Sequence, residues 1–259
     1  MKKRASIKDK LISWSALLTL LILWQILSLS GMLPGYLVPS PIQVLKALVS
    51  DAPLLLRHSG ITLLEALLGL GLGVVLGFFL AVLMDGFAPV KSAMYPLVVI
   101  SQTVPTVAIA PLLVLWFGYG ILPKVLLIIL TTFFPIAIGL LSGFADHDAD
   151  GVNLLRSMGA SPLEIFWHIK LPSALHPFFA SLRIAASYSI VGAVIAEWLG
   201  GFSGLGVYMT RVRKAYSYDK MFAVIFVISL LSLLLMAAVN ALHRKLTPWD
   251  FKDSDPKSV

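Results

Sequence analysis

Cysteine is absent from the 259 residues, which excludes disulfides, thiolate zinc sites and cysteine nucleophiles at once. Charge is scarce as well: 13% of residues are charged against 58% hydrophobic, and mean hydropathy is +0.91. A soluble domain of this length has too little interior to hide so much apolar surface, so the bilayer must be the solvent. A phosphate-gripping Gly-Lys-Ser/Thr ending is also missing. Gly200 to Gly206 is glycine-rich, but it follows an apolar run and reads as a turn or re-entrant loop. His58, His147, His168, His176 and His243 show no close pairing at metal-ligand spacing, so no metal site is expected, and no Ser-His-Asp set can be argued from their positions.

What is present is a series of uncharged runs near the roughly 20 residues a spanning helix needs. Leu11 to Ser30, Gly60 to Met84 (with only Glu65), Ser92 to Gly120, Val125 to Phe144, about His176 to Leu199, and Met221 to Leu242 predict about six transmembrane helices. The third is interrupted by Pro96, Pro105 and Pro111, and the fifth carries Arg183 and Glu197. The first follows Lys2, Lys3, Arg4, Lys8 and Lys10 but ends in Ser-Leu-Ser-Gly without a cleavage-site pattern, so it is expected to be retained.

Six crossings place both termini in the cytoplasm, with Lys91, Arg156, Lys170, Arg244 and Lys245 on the inner side, as the positive-inside rule favours. Arg211, Arg213, Lys214 and Lys220 then fall outside; they meet an acidic partner or an anionic solute, or form a solvated loop. Between the first two spans, Ser40-Pro41 is positioned to cap an amphipathic interfacial helix ending near Asp51 and Pro53.

Gly69, Gly73 and Gly77, followed by Ala81, lie four apart and strip one side of the second span of bulk, which permits close helix packing. Glu65 is one further step upstream on the same side. Glu65 and Glu197 are intramembrane carboxylates and therefore candidates for the pathway or a gate, or they pair structurally with a neighbour. Arg183 reads as snorkelling to the headgroups. In the third span, Gln102, Thr103 and Thr106 cluster around Pro105, and line a translocation route or satisfy the backbone groups that the proline frees.

The stretch from Asp146 to Pro172 carries the most information. Its aspartates suit a helix N-terminus, Gly159 breaks that helix, and Ser161-Pro162 with Glu164 three residues on forms a capping-box pattern. Leu163, Phe166 and Trp167 give the new helix an apolar face, and Leu171-Pro172 is expected to stop it. Such a helix is a docking knob or an interfacial helix on the inner leaflet.

Here the chain resembles permeases of binding-protein-dependent ATP-binding-cassette importers, whose cytoplasmic signature contains Gly, nine residues, then I-x-L-P. Gly159 is followed after nine residues by Ile169-Lys170-Leu171-Pro172, while Asn153-Leu154-Leu155 replaces the usual acidic-alanine triad. The resemblance implies that Gly159, Ala160, Ser161, Pro162 and Leu163, with Phe166, Ile169, Leu171 and Pro172, couple to an ATPase subunit. Leu37 to Pro41, Pro111 to Gly118, Phe133-Phe134-Pro135-Ile136 and Ala196-Glu197-Trp198-Leu199-Gly200 are similar to the subgroup handling nitrate, sulfonates, taurine and pyrimidine precursors of thiamine. Ser101 to Pro105 together with Trp116 to Lys124 looks most like the pyrimidine-precursor branch.

The resemblance implies an all-α polytopic fold of the type I importer class and a homodimer working by alternating access in the bacterial inner membrane. It also implies separate ATPase subunits holding ATP and Mg, no cofactor in this chain, and an external binding protein that delivers solute. The division expected is a cytoplasmic tail over residues 1–10, a permease domain over 11–242 with its coupling region at about 146–172, and a C-terminal tail over 243–259. An ion-coupled secondary transporter is the alternative, although only one broken segment is present where such proteins show a matched pair. A membrane-embedded enzyme would need acids or histidines clustered at one depth, and that pattern is lacking.

Overall fold

The computed structural model describes residues 7–30 and 37–252; Lys2, Lys3 and Arg4 of the expected N-terminal tail, and residues 253–259 of the expected C-terminal tail, lie outside the described residues. Among the described residues there is no strand. The helices are α1 (Ile7–Leu29), α2 (Pro41–Ser50), α3 (Ala52–Gly86), α4 (Ala88–Ser101), α5 (Thr106–Phe117) and α6 (Leu122–Ala145). They continue as α7 (Ala149–Ser157), α8 (Pro162–Ile165), α9 (Leu171–Gly200), α10 (Leu205–Lys214), α11 (Tyr218–Leu246) and α12 (Trp249–Lys252).

The centre of the bundle is α6, flanked by α3 and α9. In its apolar stretch 56% of residues are buried, against 17% for α11, so α6 is an interior post while α11 leaves most of its surface uncovered by the rest of the chain. The glycine face of α3 explains the close approach. A side chain at Gly69 would collide with Ile128, one at Gly73 with Thr132, and one at Gly77 with the Phe133 carbonyl and Ile136. Apolar packing below this seam continues through Ile136, Leu140 and Phe144 to Phe179 and Leu182 of α9.

Among the described residues four helices are long and apolar enough to cross a membrane, and a fifth crossing is supplied if α4 and α5 are taken together. The first expected span, Leu11 to Ser30, coincides with α1, whose described apolar side chains run from Leu18 to Leu29. The third span is not one proline-kinked rod: α4 and α5 meet at 98°. Only Pro105 breaks the helix, standing in extended backbone at φ −63°, ψ 118°, whereas Pro96 and Pro111 lie inside α4 and α5. The second span begins earlier than its uncharged run suggests. Its 35 residues measure about 52 Å at 1.5 Å per residue, longer than a hydrocarbon core of about 30 Å. Asp51 and Asp85 accordingly mark its two wet ends.

Each end is pinned. Asp51 accepts from Tyr208 Oη and pairs with Lys220 Nζ at 2.8 Å, joining the α2–α3 corner to α10 and α11. Burial would raise the Asp51 carboxyl, but hydrogen bonds from Lys220, Tyr208 and Ser50 outweigh it and hold its pKa below 3.8. The same contact, after burial, pushes the Tyr208 phenol up. At the other end Asp85 pairs with Lys170 at 2.8 Å.

Candidate functional site

Three features are candidates for chemistry or recognition. The first is a cavity of about 310 Å³ at the α4–α5 bend, walled by α6 and α9. Because the backbone leaves the helix at Gln102 to Pro105, Ser101, Gln102 and Thr106 turn toward Thr131 of α6 and Tyr188 of α9. Its volume is at the small end of ligand pockets, and its walls mix apolar surface with a few hydroxyl and amide groups. Thr103 does not stand among the lining residues; it is exposed, and its hydroxyl donates to the Ile100 carbonyl at 2.8 Å.

The second feature is a buried polar network that contains both intramembrane carboxylates. Lys124 Nζ, near the start of α6, lies 2.6 Å from Glu65 Oε1, and Glu65 Oε2 is buried without a hydrogen bond. Glu197 is 1% exposed; it accepts from Thr62 Oγ1 at 2.7 Å and from the Gly206 amide at 2.6 Å. The Leu205 amide donates to Thr62 Oγ1 and the Gly204 amide to His58 Nδ1, each at 2.9 Å. Gly204 has φ 121°, and any side chain there would run into the Glu197 carboxylate. The glycine loop is thus a strap, fastened by its amides to α3 and to the end of α9. Glu65 and Glu197 are absent from the cavity wall.

Third is a knob projecting from the end of the bundle between α6 and α9. Asp148 caps α7, its side chain accepting from the Asp150 amide. Gly159, at φ 84°, ends it: the Gly159 amide bonds to the Arg156 carbonyl and the Ala160 amide to that of Leu155, the paired bonds of a Schellman stop. Ser161 then starts α8 with a complete capping box, its hydroxyl accepting from the Glu164 amide while Glu164 receives the Ser161 amide.

Leu171-Pro172 does not stop this helix. Phe166–Lys170 forms a π-helical turn, the Leu171 amide bonding back to Phe166, and the chain runs straight into α9, five residues before the expected start at His176. A wider turn lets a helix carry a proline without the usual clash between ring and carbonyl. Phe166 turns inward onto Phe144, ring centroids 5.4 Å apart. The outward surface holds Leu154, Met158, Leu163 and Trp167, each more than half exposed. Ala160, Ile169, Leu171 and Pro172 are half-buried beneath them.

Lys124, Thr62, Leu154 and Met158 were not singled out from sequence. A lysine just before an apolar run, 59 residues from its carboxylate, has no local signal for pairing; Leu154 and Met158 share a face of α7, four apart, which is a readable cue.

Residues 73–248 match the family described as binding-protein-dependent transport system inner membrane component. The chain is 40% identical over 235 residues to the formylaminopyrimidine transport permease protein ThiX of Halalkalibacterium halodurans, covering 90% of this chain and 93% of that one. It is 38% identical to a probable ABC transporter permease protein of Haemophilus influenzae, over 87% of this chain and 92% of the relative. For the taurine transport system permease protein TauC of Escherichia coli the identity is 30%, over 92% and 89%. An amino acid ABC transporter structure superposes with a TM-score of 0.65 over 76% of this chain and 96% of its own, at 17% identity, and so shares the fold. A family match over more than half the chain, full-length relatives and a capped knob between α6 and α9 agree: the chain belongs to the binding-protein-dependent ABC importer permeases and is the membrane-spanning subunit of such a transporter.

Proposed function

We propose that two copies of this chain form the pathway for a pyrimidine precursor of thiamine, of the formylaminopyrimidine type, and that separate ATPase subunits drive it by alternating access. The carrying observation for coupling is the knob: four large apolar side chains stand exposed on a short, doubly capped element. Apolar surface held out on a rigid projection suits a partner's groove better than bulk water. The substrate class rests on the 40% identity with the ThiX relative. Sulfonate, taurine and nitrate are the other members of the range, with the 30% identical TauC relative supporting taurine.

In this reading the knob faces the cytoplasm of a bacterial inner membrane and both termini lie on that side. ATP and Mg bind the partner, and an external binding protein loads the opposite face. Gln102 and Thr106 line the solute's route at the bend, while Glu197 holds the outer strap and Glu65 pairs with Lys124 beside it. ATP shifts the orientation only by binding one state more tightly than the other. Proteoliposomes containing the permease, its ATPase and its binding protein should take up labelled formylaminopyrimidine only with ATP. Uptake on a proton or sodium gradient without the ATPase would instead establish a secondary transporter.

A further inference from the structure

At the knob end of the bundle, three side chains from separate elements converge. His176 on α9 directs Nδ1 at Asp250 Oδ2 from 3.3 Å, and His243 on α11 directs Nε2 at the same oxygen, also from 3.3 Å. One nitrogen from each imidazole and the carboxylate oxygen all lie within 4.8 Å of one another. His243 is 3% exposed, with its ring stacked on Phe179 at 4.5 Å and 26°, so its orientation is fixed by packing. The His176 side chain is 68% exposed and leaves the cluster open to solvent.

Spacing distinguishes this trio from an ordinary ion pair. Charge-assisted N–H···O bonds prefer about 2.7–2.9 Å, so two contacts at 3.3 Å are wide for hydrogen bonds. A tetrahedral zinc with bonds of about 2.0–2.1 Å separates neighbouring ligand atoms by about 3.3–3.4 Å. Two edges of the triangle match that figure, and the third lies within 4.8 Å.

We propose that His176, His243 and Asp250 bind a divalent transition metal of the zinc type, with water in the fourth position. Two imidazoles and one carboxylate suit zinc or cobalt, and are poor ligands for magnesium or calcium. The ion would clip the short C-terminal helix α12 to the base of α9, four residues past Pro172, placing metal occupancy beside the knob. Histidines 67 residues apart give no spacing motif.

Tag-free protein, stripped with chelator and kept in detergent, is titrated with Co(II) and then displaced with Zn(II), with metal content measured by mass spectrometry. One equivalent should bind and produce the visible absorption of tetrahedral cobalt. His176→Ala and Asp250→Asn should each weaken binding by about tenfold or more, with His168→Ala, a knob histidine outside the cluster, unchanged. Melting curves confirm that the variants fold; His243 is left intact because it is packed in the core. Absence of saturable uptake, or equal titration of wild type and His176→Ala, overturns the site.

Discussion

Lys124 of α6 and Glu65 of α3 meet at 2.6 Å with 6% and 4% of their side chains exposed, directly above the glycine seam that joins the two helices. Breaking a buried pair strands the surviving charge, at about 3–5 kcal/mol, whereas removing both ends is far milder. Glu65→Gln or Lys124→Met alone should therefore lower stability sharply, and the double variant should regain most of the loss. Unfolding of the purified variants in detergent measures the coupling; simple addition of the two single effects would show that the pair is not energetically joined.

The seam itself is intolerant of bulk. Gly77→Val drives a side chain into the Phe133 carbonyl, which a built Cβ already approaches to 2.8 Å, whereas Gly71 has nothing within 4 Å. Overpacking of this sort costs about 1–3 kcal/mol. Gly77→Val should melt early and transport poorly, while Gly71→Ala should match wild type in both assays.

The knob variants separate docking from folding. Trp167 is 56% and Leu163 is 66% exposed, so shortening either leaves no cavity in this subunit. Trp167→Ala should weaken co-purification with the ATPase by about tenfold or more, as anchors at interfaces do, with the melting temperature unmoved. Full ATPase binding by Trp167→Ala combined with Leu163→Ala would place the docking surface elsewhere.

The strap depends on Glu197 as a double acceptor. In Glu197→Leu the Gly206 amide loses its acceptor, while the Thr62 hydroxyl can still give its proton to the His58 carbonyl. Losing one such buried bond costs about 1–3 kcal/mol. Hydrogen exchange at Leu205 and Gly206 should quicken in the variant, with little change across α7 and α8.

Acid should release the Asp51 pin. Asp51 titrates below its ordinary 3.8 in the folded chain, so its contribution is complete above that value and vanishes as pH falls through the lowered folded pKa. Asp51→Asn should therefore be less stable than wild type near neutrality, and the gap should narrow as pH drops below about 4. A gap unchanged by acid would mean that Tyr208 and Lys220 do not depend on the charge.

Much of the local structure was written in short-range chemistry. The caps at Ser40 and Ser161, the stop at Gly159 and the bare face of Gly69, Gly73 and Gly77 each follow from residues within a turn or two of one another. Proline was the least readable signal: Pro105 bends the chain by 98°, while Pro111 and Pro172 ride inside helices, because the outcome depends on what surrounds the freed carbonyl. Partners distant along the chain were equally hidden. Nothing near Glu65 announces Lys124, nothing near Glu197 announces Thr62, and apolar runs carry no record of which helix faces which.

The unbroken passage from the π-helical turn at Phe166 into the 30 residues of α9 makes that helix a tiller about 45 Å long. A tilt of about 5° imposed at the knob sweeps the far tip through roughly 4 Å, more than the length of a hydrogen bond. Glu197 rides on that tip, so under the proposed coupling a push at the knob would reach the far end of α9 as slack in the glycine strap.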